Sequence, residues 1–216
     1  MKYRILVLLV IAIALTSCKS KEQKAEDLIR AKLSQTLFDF SSYEPIETIV
    51  TEAYNTPYND AVCFQLSMVV ANHVKKMSKY SEEMTNAQDH MNIWGAPTYY
   101  SSTYSDSQYY KYKKPVQENL EKAKEELFTV KTLGRALQDS IKVRDSEKII
   151  GWEVKHRFRC KTRGGHATIA DYRYIIDKGF KNILFYEDMD DDDFSSAREI
   201  IEMAENNKFD EDGLDE

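Results

Sequence analysis

Two long apolar stripes, each stepping by three and four residues, constrain this chain most. The first runs Val62, Leu66, Val69, His73, Met77, Tyr80, Met84, Ala87 and Met91; the second runs Val116, Leu120, Ala123, Leu127, Val130, Gly134, Leu137 and Ile141. A stripe with that mean step lies along one face of an α-helix and needs a partner surface. Two stripes of similar length predict an antiparallel helical hairpin over 59–145, with arms about 45 Å long. Pro115 then falls in the first turn of the second arm, where its missing N–H costs nothing. His73 lies inside the first stripe. No second histidine stands at a metal-like spacing from it, so it reads as a hydrogen-bonded register residue of the seam.

Between the arms, 94–114 holds Trp94, Tyr99, Tyr100, Tyr104, Tyr109, Tyr110 and Tyr112, which include six of the fourteen tyrosines of the chain, with Ser101, Ser102, Ser105 and Ser107 among them. A connection that long is functional or flexible. Tyrosine offers flat contact area with a polar tip and serine offers adaptable hydrogen bonds, so these aromatics are the candidate binding residues. The alternative is a flexible tip whose rings pack on the hairpin base.

After Ser146 the period changes to two. Ile150, Trp152, Val154, His156, Phe158 and Cys160 alternate with Lys155, Arg157, Arg159 and Lys161, which predicts a strand that is apolar inside and basic outside. Turn chemistry at Arg163-Gly164-Gly165 and Asp177-Lys178-Gly179 separates it from Thr168–Ile176 and from Ile183–Tyr186. The expectation is a three-stranded antiparallel meander over 149–187, covered by helices. The basic row, extended by Arg163, would meet an anionic surface or the chain's own acidic end. His156 and Cys160 share the inward face, but at about 13 Å along a strand they are too far apart for proton transfer.

Upstream, Ile29, Leu33, Leu37 and Phe40 recur at near-helical spacing and predict a short helix over about 25–38. Ile46, Ile49, Val50, Ala53 and Tyr54 fit a second helix, with a strand near 45–50 as the alternative. The fold class is therefore α+β: a long helical hairpin, a meander and short flanking helices, in one domain over 25–206. A helix over 196–205 and an acidic tail over 207–216 close the chain. From Glu187 onward fourteen acids face only Arg198 and Lys208. Asp188, Asp190, Asp192 and Glu199 stand at calcium-loop positions of the EF-hand kind, but the position that needs glycine holds Asp193. A capping box from Ser196 to Glu199 is the simpler reading. With a net charge of −6, nucleic acid is not an expected partner. No phosphate-binding loop, dinucleotide fingerprint or nucleophile elbow occurs, and no catalytic residue, resident metal or cofactor is assigned.

At the start, Lys2 and Arg4 lead into an apolar run too short to span a membrane comfortably, ending Leu15-Thr16-Ser17-Cys18. This resembles the lipobox of bacterial lipoproteins. The resemblance implies that 1–17 is a signal peptide, that Cys18 carries lipid and holds the chain to a bilayer, and that 18–24 is a polar tether. In that oxidising compartment Cys63 and Cys160 are allowed to pair, although both sit at apolar positions that suit buried thiols.

Ser42-Tyr-Glu-Pro-Ile-Glu-Thr, Ile150-Gly-Trp-Glu-Val-Lys-His-Arg-Phe-Arg-Cys-Lys and Tyr174-Ile-Ile-Asp-Lys-Gly-Phe together resemble small lipoproteins of Bacteroidetes. That likeness brings no activity with it. Lys19-Ser20-Lys21-Glu22-Gln23-Lys24 lacks the acidic patch that resembles a surface-export signal in those bacteria. The expected location is thus the outer membrane facing the periplasm, with the cell surface as the alternative. The function expected is a non-catalytic protein-binding or scaffolding lipoprotein. A glycan- or small-ligand-binding protein is the alternative, using the tip or Trp152, Tyr172 and Tyr174. A hydrolase, the third class, would rest on His156 or His166.

Overall fold

In the computed structural model, which describes residues 19–210, the first helix α1 (Lys21–Thr36) begins inside the expected tether. Ser20 Oγ accepts the Gln23 backbone N–H (3.2 Å) and Gln23 Oε1 accepts the Ser20 N–H (3.1 Å). This reciprocal cap satisfies two orphan donors and starts the helix four residues earlier than the apolar spacing suggested. The lipobox-like run and Cys18 lie outside the described residues, as do residues 211–216. Among the described residues no helix is long and apolar enough to cross a membrane.

The chain continues as β1 (Asp39–Tyr54), a 3₁₀ turn at Pro57–Asn59, α2 (Ala61–Trp94), α3 (Thr103–Lys142), β2 (Ile149–Lys161), β3 (Ala167–Asp177), β4 (Ile183–Asp188) and α4 (Asp192–Glu205). The architecture is α+β. The sheet has four strands, all antiparallel, in the order β1-β2-β3-β4. The meander over β2, β3 and β4 is as expected. The second helix expected over 46–54 is instead strand β1, paired with β2 from Asp39↔Lys161 to Tyr54↔Ile149. Its β-branched residues Ile46, Thr48, Ile49, Val50 and Thr51 suit a pleated surface, and an open edge of β2 was there to receive them. Pro45 is tolerated because β1 is an edge strand and its register shifts between Pro45 and Glu47.

The chain gathers into two compact units. Of the described residues, the first takes 19–61 and 145–194 and the second takes 62–144 and 195–210. In the first, α1 lies on the sheet. Ala25, Ile29 and Leu33 recur every four residues and are buried against Tyr43, Val154, Phe158, Cys160, Tyr174 and Ile176. Full burial of side chains such as Ile29 and Leu33 contributes about 1.5–3 kcal/mol each. Gly151 in β2 is required by close approach, since a Cβ there would collide with the Ile176 carbonyl.

The opposite face of the sheet holds a buried charge cluster. Arg173 (4% exposed) donates to Glu187 through Nε and to Tyr58 O through Nη2 (2.6 Å). Its Nη1 donates to Asn59 Oδ1 (2.5 Å) and Glu153 Oε2 (3.2 Å). Further along that face the basic row finds its acids on the flanking strands: Arg157 pairs with Asp171 (3.6 Å) and Arg159 with Glu44 (3.2 Å). Each of these partners stands directly opposite in the strand register, so cross-strand pairing answers these two arginines without the acidic end.

In the second unit α2 and α3 run antiparallel. Cys63 meets Ser140, His73 meets Glu126, Lys122 lies over Tyr80, His90 stacks on Tyr112 and Trp94 meets Tyr104. Partners climb one helix as they descend the other, as the two stripes predicted. The buried residues of the first turns of α2 are Cys63, Phe64, Ser67, Val70 and Ala71, while Val62 and Val69 are exposed. That end of the stripe is therefore rotated from the expected face. Pro115 sits inside α3, twelve residues beyond its start, so α3 tolerates the loss of one internal hydrogen bond.

Helix α4 begins at Asp192, not Ser196, because Asp191 Oδ1 accepts the Asp193 N–H (2.8 Å) and takes the capping position. Ser196 lies inside the helix and the expected capping box does not form. Residues 207–210 are not frayed tail. Phe209 is fully buried on Gly134, where a Cβ would enter its ring, and Arg135 Nε donates to Phe209 O (3.2 Å). Asp210 lies by Arg135 (3.9 Å) and Lys142 (3.6 Å).

Arg173→Met is expected to lower the unfolding free energy by about 3–5 kcal/mol, since it strips the guanidinium from buried Glu187. Adding Glu187→Leu should recover part of that loss, as read by denaturant unfolding of both variants.

Candidate binding surface at the hairpin end

The connection between the helices is shorter than expected. Helix α2 ends at Trp94 and α3 begins at Thr103, so Tyr104, Tyr109, Tyr110 and Tyr112 are helical and only Tyr99 and Tyr100 lie in the turn. Gly95 leaves α2 with φ 66°, a left-handed conformation that ends helices. The serines then tie the turn down. Ser101 Oγ accepts the Thr98 N–H (3.0 Å) and donates to Asp106 Oδ1 (2.5 Å). Ser102 Oγ caps α3 by accepting the Ser105 N–H (3.1 Å), and Ser105 Oγ donates to the Trp94 carbonyl (3.1 Å), closing one helix end on the other. The hydroxyls that composition assigned to adaptable binding are structural.

The aromatic residues divide into a packed set and a displayed set. Trp94 is partly buried edge-on to Tyr104 (5.5 Å, 85°), and Tyr112 stacks on His90 (4.9 Å). Tyr109 is partly buried edge-on to Tyr110 (5.5 Å, 82°). Tyr99 and Tyr100 are 95% and 93% exposed and meet edge-to-face (5.3 Å, 89°). Tyr104 and Tyr110 also face outward. Two features escaped the sequence reading. Ile93, in the last turn of α2, is exposed. Lys111 lies over the Tyr112 ring (5.3 Å), and Lys113 lies over Tyr109 and Tyr110 (6.0 and 5.9 Å). The run Tyr-Tyr-Lys-Tyr-Lys-Lys from 109 carried that signal.

The other candidate residues do not assemble a site. His156 is buried (1% exposed), with Nε2 2.9 Å from the Tyr43 hydroxyl and Nδ1 2.9 Å from Thr48 Oγ1. Burial lowers its pKa from 6.5 to about 4, so the ring is neutral. His166 stands in the exposed turn between β2 and β3, beyond reach of His156. Cys63 and Cys160 are buried thiols with no disulfide between them. Cys63 Sγ accepts from Arg144 Nη2 (2.9 Å), and burial pushes the Cys160 thiol up. The calcium loop does not form, because 192–199 is helix and its acids cannot turn around one point. Among the described residues no three of His, Cys, Asp or Glu could hold a metal ion.

The sheet aromatics are closed off as a ligand platform. Trp152 is stacked on Phe180 (5.5 Å), covered by the Lys21 ammonium (3.8 Å), and donates through Nε1 to the Lys178 carbonyl (3.3 Å). Tyr174 is fully buried in the core beneath α1, and burial raises its pKa strongly. Tyr172 is pushed up to about 12 by burial, with Asp188 adding to the effect.

No protein-family model, no curated protein and no solved structure matches this chain.

Two outcomes follow. The neutral His156 ring contributes stability that is complete above about pH 6.5 and lost as pH falls through about 4. His156→Gln should therefore flatten the decline of the unfolding free energy between pH 7 and pH 4, as read by denaturant titrations of both proteins across that range. At the hairpin end, Tyr99→Ser with Tyr100→Ser should leave the unfolding free energy within about 0.5 kcal/mol. Ser105→Ala, which removes the Trp94 contact, should cost about 1 kcal/mol.

Proposed function

We propose that the chain is a non-catalytic binding or scaffolding lipoprotein of the bacterial cell envelope, held to a bilayer through Cys18 and facing the periplasm from the outer membrane. The observation that carries the binding role is the display of Tyr99, Tyr100, Tyr104 and Tyr110 at the end of a paired helical hairpin. These rings are exposed, while the turn beneath them is fixed by serine hydroxyls. A rigid frame under exposed aromatics lowers the ordering cost of binding. The candidate acid–base groups support the same reading: His156 is neutral and held between two hydroxyls, and His73 is paired with Glu126.

A photo-crosslinking residue at position 99, expressed in the native cell, should give discrete adducts that are absent when it is placed at exposed Thr132. Tyr100→Ser with Tyr104→Ser should abolish the adducts. Adducts of equal yield from both positions would remove the tip as the binding surface. Metabolic palmitate labelling that survives Cys18→Ser would remove the anchor.

A further inference from the structure

We infer that the hairpin end docks on an anionic lipid bilayer; this deepens the proposed function by naming the partner, and it rests on the reading of that end as the binding surface. Three observations carry it. The first is the chemistry of what is displayed. Ile93, Tyr99, Tyr100, Tyr104 and Tyr110 are exposed together at one end of the α2–α3 pair. Tyrosine has an apolar ring and a hydrogen-bonding tip, the combination that settles at the boundary between acyl chains and headgroups.

The second is charge. From 90 to 117 the only acid is Asp106, and it is engaged by the Ser101 hydroxyl. Lys111 and Lys113 lie beside the tyrosine rings, while Lys114 shares its charge with Glu118 (3.4 Å). The acids of the remainder are concentrated from Glu187 onward, where fourteen face only Arg198 and Lys208, so an anionic surface repels that end of the sequence and attracts this one. On the basic row of β2, Arg157 and Arg159 already meet Asp171 and Glu44.

The third is ring geometry. The Trp94–Tyr104, Tyr99–Tyr100 and Tyr109–Tyr110 pairs are edge-on, at 85°, 89° and 82°. A sugar ring stacks on a flat platform, and neighbouring rings at right angles do not make one. A fluid headgroup layer accepts rings in any direction.

The test uses the mature chain with Cys18→Ser, so that no acyl chain contributes, sedimented with phosphatidylcholine vesicles with and without phosphatidylglycerol. Binding is expected only with phosphatidylglycerol, and it should weaken as salt is raised. Lys111→Gln with Lys113→Gln should weaken it roughly 30-fold, at the usual contribution of a lysine near an anionic surface. Tyr99→Ser with Tyr100→Ser should weaken it as well, with unchanged circular dichroism in both variants. Absent binding at low salt, equal binding to both vesicles, or binding that ignores both pairs of substitutions would overturn the inference. A solution dimer abolished by Tyr99→Ser with Tyr100→Ser would also overturn it, by giving these rings to a second copy. If vesicles are not bound while crosslinks from position 99 persist, the binding surface stands and its lipid assignment falls.

Discussion

A guanidinium removed from water must have its donors met on every side, and Arg173 imposes that condition on the whole sheet unit. Its partners come from β4 (Glu187), from β2 (Glu153) and from the turn after β1 (Asn59 and the Tyr58 carbonyl). No two adjacent segments could supply this set alone. The cluster therefore fixes where the chain leaves β1, and the turn at Pro57–Asn59 is the lead into α2. Charge burial is expensive in isolation, and its value here is geometric: only one arrangement of these segments satisfies it. On the other face α1 supplies the apolar burial that the charged face lacks.

The helical unit depends on a different constraint, the register of a long antiparallel seam. Contacts at Cys63–Ser140, His73–Glu126 and His90–Tyr112 are spaced along its full length. A slip of one turn would break all of them at once. Phe209 adds a lock from the far end of the chain: it lies where α3 carries Gly134 in place of a larger residue. Because the seam is fixed at both ends, the rings on its tip are held by a stiff support. That stiffness distinguishes a displayed surface from a flexible loop of the same composition.

The residues that looked most like chemistry in the sequence turn out to be packing. His156 is held between Tyr43 and Thr48, Cys160 is buried beside Phe158 in the core, and the carboxylates near Asp190 cap a helix. Lys111 and Lys113, which the spacing of the sequence did not single out, lie over rings of the hairpin end. The proposed binding role therefore rests on surface character and on the frame that presents it.

Local periodicity determined a good deal by itself. The stripes at Val62–Met91 and Val116–Ile141 set the two long helices and their pairing, and the alternation from Ile150 to Cys160 set β2 with its inward and outward faces. The apolar spacing put the start of α1 four residues too late, because it takes no account of the cap between Ser20 and Gln23. The tertiary structure decided what period alone leaves open. Segment 46–54 fitted a helix, with a strand near 45–50 as the alternative, and became part of β1 because β2 offered an unpaired edge to hydrogen-bond. The acids near the end carried no mark of which one would cap α4. Phe209 was buried by a glycine 75 residues away in sequence. The tyrosines were legible as a binding composition, but which rings face outward was settled only when the serines closed Trp94 onto Ser105 and the two helices fixed the directions of their side chains. Spacing along the chain encodes which face a residue shares with its neighbours; what stands opposite that face is set by long-range packing, which no local pattern contains.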